Sequence, residues 1–105
     1  MRIVAEDVDV LPAAVEVAAY RIATEALTNA SRHADASRCV IELSVNGALE
    51  LRVTDDGRGL PVAWQPGVGM TSMRERAAEL GGTAAFAPSP SGGMIVHAKL
   101  PLESA

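Results

Sequence analysis

A chain of 105 residues, 49% hydrophobic and with a formal net charge of −4, can bury the core of one small domain and has no basic surplus to attract a phosphate backbone. Three aromatic residues (Tyr20, Trp64 and Phe86) and one cysteine, Cys39, argue against a base-stacking surface, a disulfide framework and a thiolate zinc cluster. No apolar run approaches the roughly 20 residues of a membrane span and the N-terminus has no signal-peptide pattern, so the expectation is one domain over residues 1–105 in a reducing cytoplasm, partnered by neither nucleic acid nor membrane.

The first element in chain order is "LPAAVEVAAYRIATEALTNASRHA", with Pro12 at the first turn and Val15, Ala18, Ala19, Ile22, Ala26 and Ala30 at helical spacing. It predicts a long amphipathic helix. "SRCVIELSV" alternates, with Cys39, Ile41, Leu43 and Val45 on one face, and "ALELRVT" alternates again after Asn46-Gly47. The two form a hairpin. A two-residue loop would set Leu43 against Glu50, whereas a three-residue loop pairs Leu43 with Leu49 and Ile41 with Leu51, and places Gly47 in a bulged turn. "DDGRGLPVAWQPGVG" is a Gly- and Pro-rich loop. "MTSMRERAAELGG" is a second helix, carrying Met70, Met73, Ala77 and Leu80 inward and stopped by Gly81. "TAAFA" and "MIVHAKLP" are two last strands about the turn "PSPSGG"; Met94, Val96, Ala98 and Leu100 share one side, and His97 faces the other. The fold class is α/β, a two-layer sandwich with the helices on one face of a mixed, mostly antiparallel sheet.

Three places carry chemistry. In "EALTNASRHA" a carboxylate, a carboxamide, a guanidinium and an imidazole share one helix face: at about 100° per residue, Asn29 lies roughly 40° around from Glu25, and Arg32 and His33 return to within about 80°. On an arbitrary helix this pattern would be a solvated surface pair and a polar filler. Two further features change the context. "DDGRG", Asp55 to Gly59, stands where a strand gives way to a loop, and its paired glycines let a ligand approach the backbone beside a carboxylate able to accept from an amino group. "GVG", Gly67 to Gly69, precedes a helix start, where unpaired N–H groups and the helix dipole favour phosphate.

In this order and at these distances, "EALTNASRHA", "DDGRG" and "GVGMTSMRERAAELGG" resemble the N box and the two glycine boxes of the catalytic, ATP-binding domain of sensor histidine kinases, which share the Bergerat-type fold with gyrase, the heat-shock chaperone ATPase and mismatch-repair ATPases. The wording is most similar to the subgroup that pairs with NarL-type response regulators. The resemblance runs from about Leu11 to Pro101 and implies ATP and Mg²⁺ as ligands. It implies that Asn29 coordinates Mg²⁺ and that Glu25, one turn earlier, orients a metal-bound water or accepts the proton of the attacking group. Arg32 and His33 would lie toward the phosphates or the ribose. Asp55 would accept from the adenine amino group, with Gly57 and Gly59 against the purine. Gly67 and Gly69 would hinge a short lid and leave amides for phosphate, with Val68 a backbone contact; Trp64 in "PVAWQP" would cover the site or anchor an exposed loop.

One departure stands out. Family members often have Gly-Gly-Thr where this chain has Gly92-Gly93-Met94, so a hydroxyl expected near the adenine is missing. The chain also lacks the helical hairpin with the phosphoacceptor histidine, which implies a fragment of a longer sensor acting on its own dimerisation and histidine-phosphotransfer domain. An anti-sigma-type serine/threonine kinase on the same scaffold, or a module that binds nucleotide or partner without transfer, are the alternatives.

Overall fold

The computed structural model describes residues 2–6, 11–33, 38–56, 68–90 and 92–102. Five strands form a single sheet in the order β1-β2-β3-β5-β4, where β1 is Arg2–Glu6, β2 Cys39–Val45, β3 Ala48–Asp55, β4 Thr83–Pro88 and β5 Met94–Pro101. Two helices, α1 (Ala13–His33) and α2 (Val68–Glu79), pack on one face, α1 against β2, β3 and β5 and α2 against β4 and β5. Every neighbouring pair is antiparallel except β1 with β2, so the sheet is mixed and mostly antiparallel, as the alternation of apolar residues predicts.

The core follows from period and placement. Val15, Ala18, Ala19, Ile22 and Ala26 are buried along α1, facing Ile41 of β2, Leu49, Leu51 and Val53 of β3, and Met94, Val96, Ala98 and Leu100 of β5. Small residues on the α1 stripe let the helix approach the sheet closely, while Ile22 fills the space between. Ala30, the sixth residue of the predicted stripe, has its side chain outside the described residues. Pro12 sits one residue before the helix, and its carbonyl accepts the first helical bond from the Glu16 amide at 3.0 Å. It therefore caps α1 and leaves the first turn to Ala13. At the end of α2 the Gly82 amide donates to the Ala77 carbonyl and the Gly81 amide to that of Ala78, closing the helix with Gly81 at φ +77. The Arg74 guanidinium lies 5.0 Å from the Phe86 ring centroid and ties α2 to the edge strand β4.

Two features differ from the sequence reading. β1 was not predicted; it pairs in parallel with β2, Ile3 beside Ile41 and Ala5 beside Leu43, with α1 as the crossover between them. In the hairpin of β2 and β3, Leu43 opposes Leu51 and Ile41 opposes Val53, a slip of two residues from the predicted pairs. Val45 opposes Leu49 with Asn46, Gly47 and Ala48 between them, of which Ala48 already belongs to β3 and pairs with Pro101 of β5, and Gly47 takes the left-handed turn position at φ +75. A slip of two keeps apolar against apolar, and the faces are unchanged.

The helix-free face is polar. His97 lies on it as predicted, its Nε2 3.3 Å from Glu50 Oε1, in a shallow groove with Glu42, Ser44 and Arg52.

Candidate nucleotide site

The sequence-predicted groups divide into those that the structure places and those that it does not describe. Gly57, Gly59, Trp64 and Gly67 lie outside the described residues. Asn29, Arg32 and His33 fall in the last two turns of α1, and Val68 and Gly69 in the first turn of α2; the side chains of all five are likewise outside the described residues. Val68 and Gly69 thus open the helix, where the expectation had them preceding it. Their amides still belong to the first turn, whose N–H groups have no partner four residues back.

Glu25 is half-buried on α1, beside Ala26 of the core stripe and one turn before Asn29. Thr24 and Thr28 flank it, and their hydroxyls turn back to helix carbonyls, Thr24 Oγ1 donating to Arg21 at 3.0 Å and Thr28 Oγ1 to Thr24 at 2.8 Å. The hydroxyls are thereby used within the helix, and the carboxylate is the ionisable group of that turn. The half-buried Glu25 carboxylate is a hard oxygen donor on the turn before Asn29, and a magnesium ion that keeps most of its waters needs few such protein ligands. Among the described residues no three His, Cys, Asp or Glu side chains are grouped to hold a metal ion.

Asp55 is the centre of the described part of the site. It ends the central strand β3 and is only 5% exposed, a charged residue in a position otherwise occupied by the apolar series Leu49, Leu51, Val53. A carboxylate buried to that extent is stable only when hydrogen-bonded. The Met94 amide donates to Asp55 Oδ1 at 3.3 Å. The chain on either side is pinned as well: the Arg38 amide donates to Asp56 Oδ1 at 2.8 Å, and the Asp56 amide donates to the Arg38 carbonyl at 3.2 Å. At the neighbouring turn, the Ser89 amide donates to the Gly93 carbonyl at 2.7 Å and the Gly92 amide to the Ser89 carbonyl at 3.0 Å. The ends of β2 and β3 and the β4–β5 turn therefore make a braced floor with Asp55 set in it.

Two residues of this floor escaped the sequence reading as parts of the site. Cys39 is the register partner of Asp55, so the thiol shares the helix-side face with the carboxylate. Burial, reinforced by the negative charges of Asp55 and Asp56, pushes the Cys39 thiol above its ordinary range. Because the thiolate is disfavoured in the folded state, stability contributed by the neutral thiol is lost as pH rises through the raised value. The rate of alkylation by iodoacetamide should accordingly reach its midpoint at higher pH in the folded chain than in urea-unfolded chain, and Asp55→Asn should shift that midpoint down. A folded midpoint at or below the unfolded one would contradict this. The other residue is Gly93, which the family resemblance places beside the adenine only as part of Gly92-Gly93-Met94 and to which it assigns no role of its own. The Met94 substitution also looks different in place: its side chain is buried in the apolar core while its backbone, which any residue would supply, provides the polar contact to Asp55.

Residues 14–104 match the family described as "Histidine kinase-, DNA gyrase B-, and HSP90-like ATPase". The chain is 37% identical over 100 residues to the sensor histidine kinase LnrJ of Bacillus subtilis, covering 94% of this chain and 25% of that protein. It is 39% identical over 92 residues to the sensor histidine kinase YxjM of the same organism, covering 87% of this chain and 22% of that one. The chain thus spans about a quarter of the length of these curated relatives. Among solved structures, the histidine kinase domain of the blue-light activated histidine kinase EL346 from Erythrobacter litoralis superposes with a TM-score of 0.73 at 31% identity, over 96% of this chain and 50% of that one. No helix among the described residues is long and apolar enough to cross a membrane. With the sheet order, the two helices on one face and the matched residues in agreement, the chain belongs to the histidine kinase-, DNA gyrase B- and HSP90-like ATPase family, in the form found in sensor histidine kinases.

Proposed function

We propose that this chain is the catalytic, ATP-binding domain of a cytoplasmic sensor-kinase region, taking ATP with Mg²⁺ and passing the γ-phosphoryl group to a histidine on a separate dimerisation domain. A NarL-type response regulator then receives it. The observation that carries the reading is the buried Asp55 carboxylate, fixed at the end of β3 by the Met94 amide, in a domain of an ATPase family. A fixed acceptor of this kind suits the exocyclic amino group of adenine and repels the carbonyl oxygen that guanine carries at the same position.

The residues then divide the work. Asp55 holds the base, with Gly57 and Gly59 giving it backbone to lie against. The amides of Gly67, Val68 and Gly69 receive phosphate oxygens at the start of α2, where the helix dipole favours anions. Arg32 and His33 add positive charge toward phosphate or ribose, and Asn29 presents its carboxamide oxygen to the magnesium ion. Mg²⁺, when bound, would supply neutralisation of phosphate charge. In the transfer a histidine nitrogen of the acceptor domain bonds to the γ-phosphorus while the bond from that phosphorus to the bridging oxygen breaks. ADP leaves, and Glu25 takes the imidazole proton. Little else is asked of the protein, since positioning and charge neutralisation supply most of the acceleration.

Calorimetry tests the nucleotide assignment. The chain should bind ATP and ADP in the presence of Mg²⁺ and bind GTP far more weakly, and Asp55→Asn should weaken adenine nucleotides by roughly 10- to 100-fold, the worth of a hydrogen bond to a charged group. Equal binding of adenine and guanine nucleotides by the parent would remove Asp55 as the base reader. Labelling of a serine in acid-stable form, in place of an acid-labile phosphohistidine, would move the domain to the anti-sigma type of kinase.

A further inference from the structure

Gly92 and Gly93 stand side by side in the turn before β5, yet they answer to different constraints. Gly92 has φ +106, a backbone conformation that side chains other than glycine rarely adopt. Gly93 is not among the described glycines in that region; its requirement is space. It is buried, and a Cβ built on it would run into the carbonyl oxygen of Asp55 and come within 2.5 Å of Asp55 Oδ1. The backbone of β5 can therefore lie this close to the end of β3 only while residue 93 has no side chain, and that closeness brings the next amide, that of Met94, to Asp55 Oδ1.

We propose that Gly93 is a positioning residue for purine recognition: by letting β5 close on the end of β3, it makes the Met94 amide hold the Asp55 carboxylate in the orientation that receives the exocyclic amino group of the base. The inference rests on the reading of Asp55 as the base reader. It also accounts for Met94 in a place where the family resemblance leads to the expectation of threonine. The side chain at 94 lies in the apolar core, and the contact to the carboxylate belongs to the main chain, so changing that side chain leaves the contact in place.

Loss of the Met94 donor removes one of the contacts that orient the carboxylate, and its acceptor directions are then less narrowly aimed. Selectivity for the amino group should fall further than overall affinity, because ribose and phosphate contacts lie elsewhere. The readout is the ratio of dissociation constants, by calorimetry with Mg²⁺, for ADP and for purine riboside 5′-diphosphate, which lacks only the 6-amino group. The parent should prefer ADP by about 10-fold or more. Gly93→Ala should bring the ratio toward one, with binding of the purine analogue nearly unchanged, whereas Tyr20→Ala, at an exposed position of α1, should keep the parental ratio. A merely structural role for Gly93 would instead weaken both ligands in proportion and leave the ratio alone, overturning the proposal. Should Gly93→Ala fail to fold, replacing the Met94 amide by an ester through semisynthesis removes the donor while keeping both glycines and the side chain. An unchanged ratio in the ester variant overturns the proposal, and a collapsed one supports it. If the parent itself shows no preference for ADP, the base-reading role of Asp55 has failed; if it does and Gly93→Ala keeps that preference, only the positioning role has.

Discussion

Glu25→Gln is expected to slow transfer of the ATP γ-phosphoryl group to an acceptor histidine by about 10²-fold or more while leaving Mg·ATP binding at the parental level. The substitution keeps the length and shape of the side chain and removes only its ability to take a proton, so a protein that relies on the carboxylate as a base loses rate without losing ligand. Glu25 lies beside the apolar stripe of α1 and is half-buried, and the helix should survive. Asn29→Ala provides the contrast one turn along: loss of its oxygen should weaken Mg·ATP binding and transfer together. The measurement is phosphohistidine formation with the acceptor domain supplied separately, alongside calorimetry. Parental transfer by Glu25→Gln would remove Glu25 from the role of base, and parental binding by Asn29→Ala would remove Asn29 from that of metal ligand.

The second large effect concerns stability. Leu51 is fully buried at the centre of β3, between Leu43 of β2 and Ala98 of β5 and beneath the helix layer. Leu51→Ala should cost about 2–5 kcal/mol, because the side chain's transfer energy is lost and a cavity remains that a three-stranded environment cannot close. Against the roughly 5–15 kcal/mol that holds a typical domain together, that is a large share, and the thermal midpoint should drop by about 10 °C or more. Tyr20→Ala, at a site 70% exposed on the outer face of α1, should stay within about 0.5 kcal/mol of the parent. Thermal and urea denaturation compare the two; a loss at Leu51 no larger than that at Tyr20 would show that the centre of the core lies elsewhere.

The parts of this fold that were legible in the sequence are those in which a period and a buried face coincide. The stripe from Val15 to Ala26 and the alternation through Leu49, Leu51 and Val53 and through Met94 to Leu100 specify helix and strands, and all of these residues are buried. The register of β2 on β3 was not legible, because a pattern of period two is indifferent to a slip of two and only the turn geometry at Asn46-Gly47 chooses. β1 escaped because its five residues owe their strand to a parallel partner more than thirty positions later, which no local pattern reports. In the site, Asp55 could be singled out by its neighbours in "DDGRG", whereas the need for glycine at 93 arises from a contact made across the sheet. Such a requirement exists only once the chain has folded.

Asp55 terminates the strand that lies between β2 and β5, and α1 covers the same strand from above. Its backbone is consequently anchored in a central strand, and central strands are the elements that tend to open only with the whole domain. A population of destabilised variants would then divide into molecules that recognise a base as the parent does and molecules that recognise nothing. Damage to the core would show as a smaller number of competent sites in a titration, with the intrinsic preference of each surviving site unaltered. Affinity and abundance would thus be separable traits in this domain, free to drift independently under mutation.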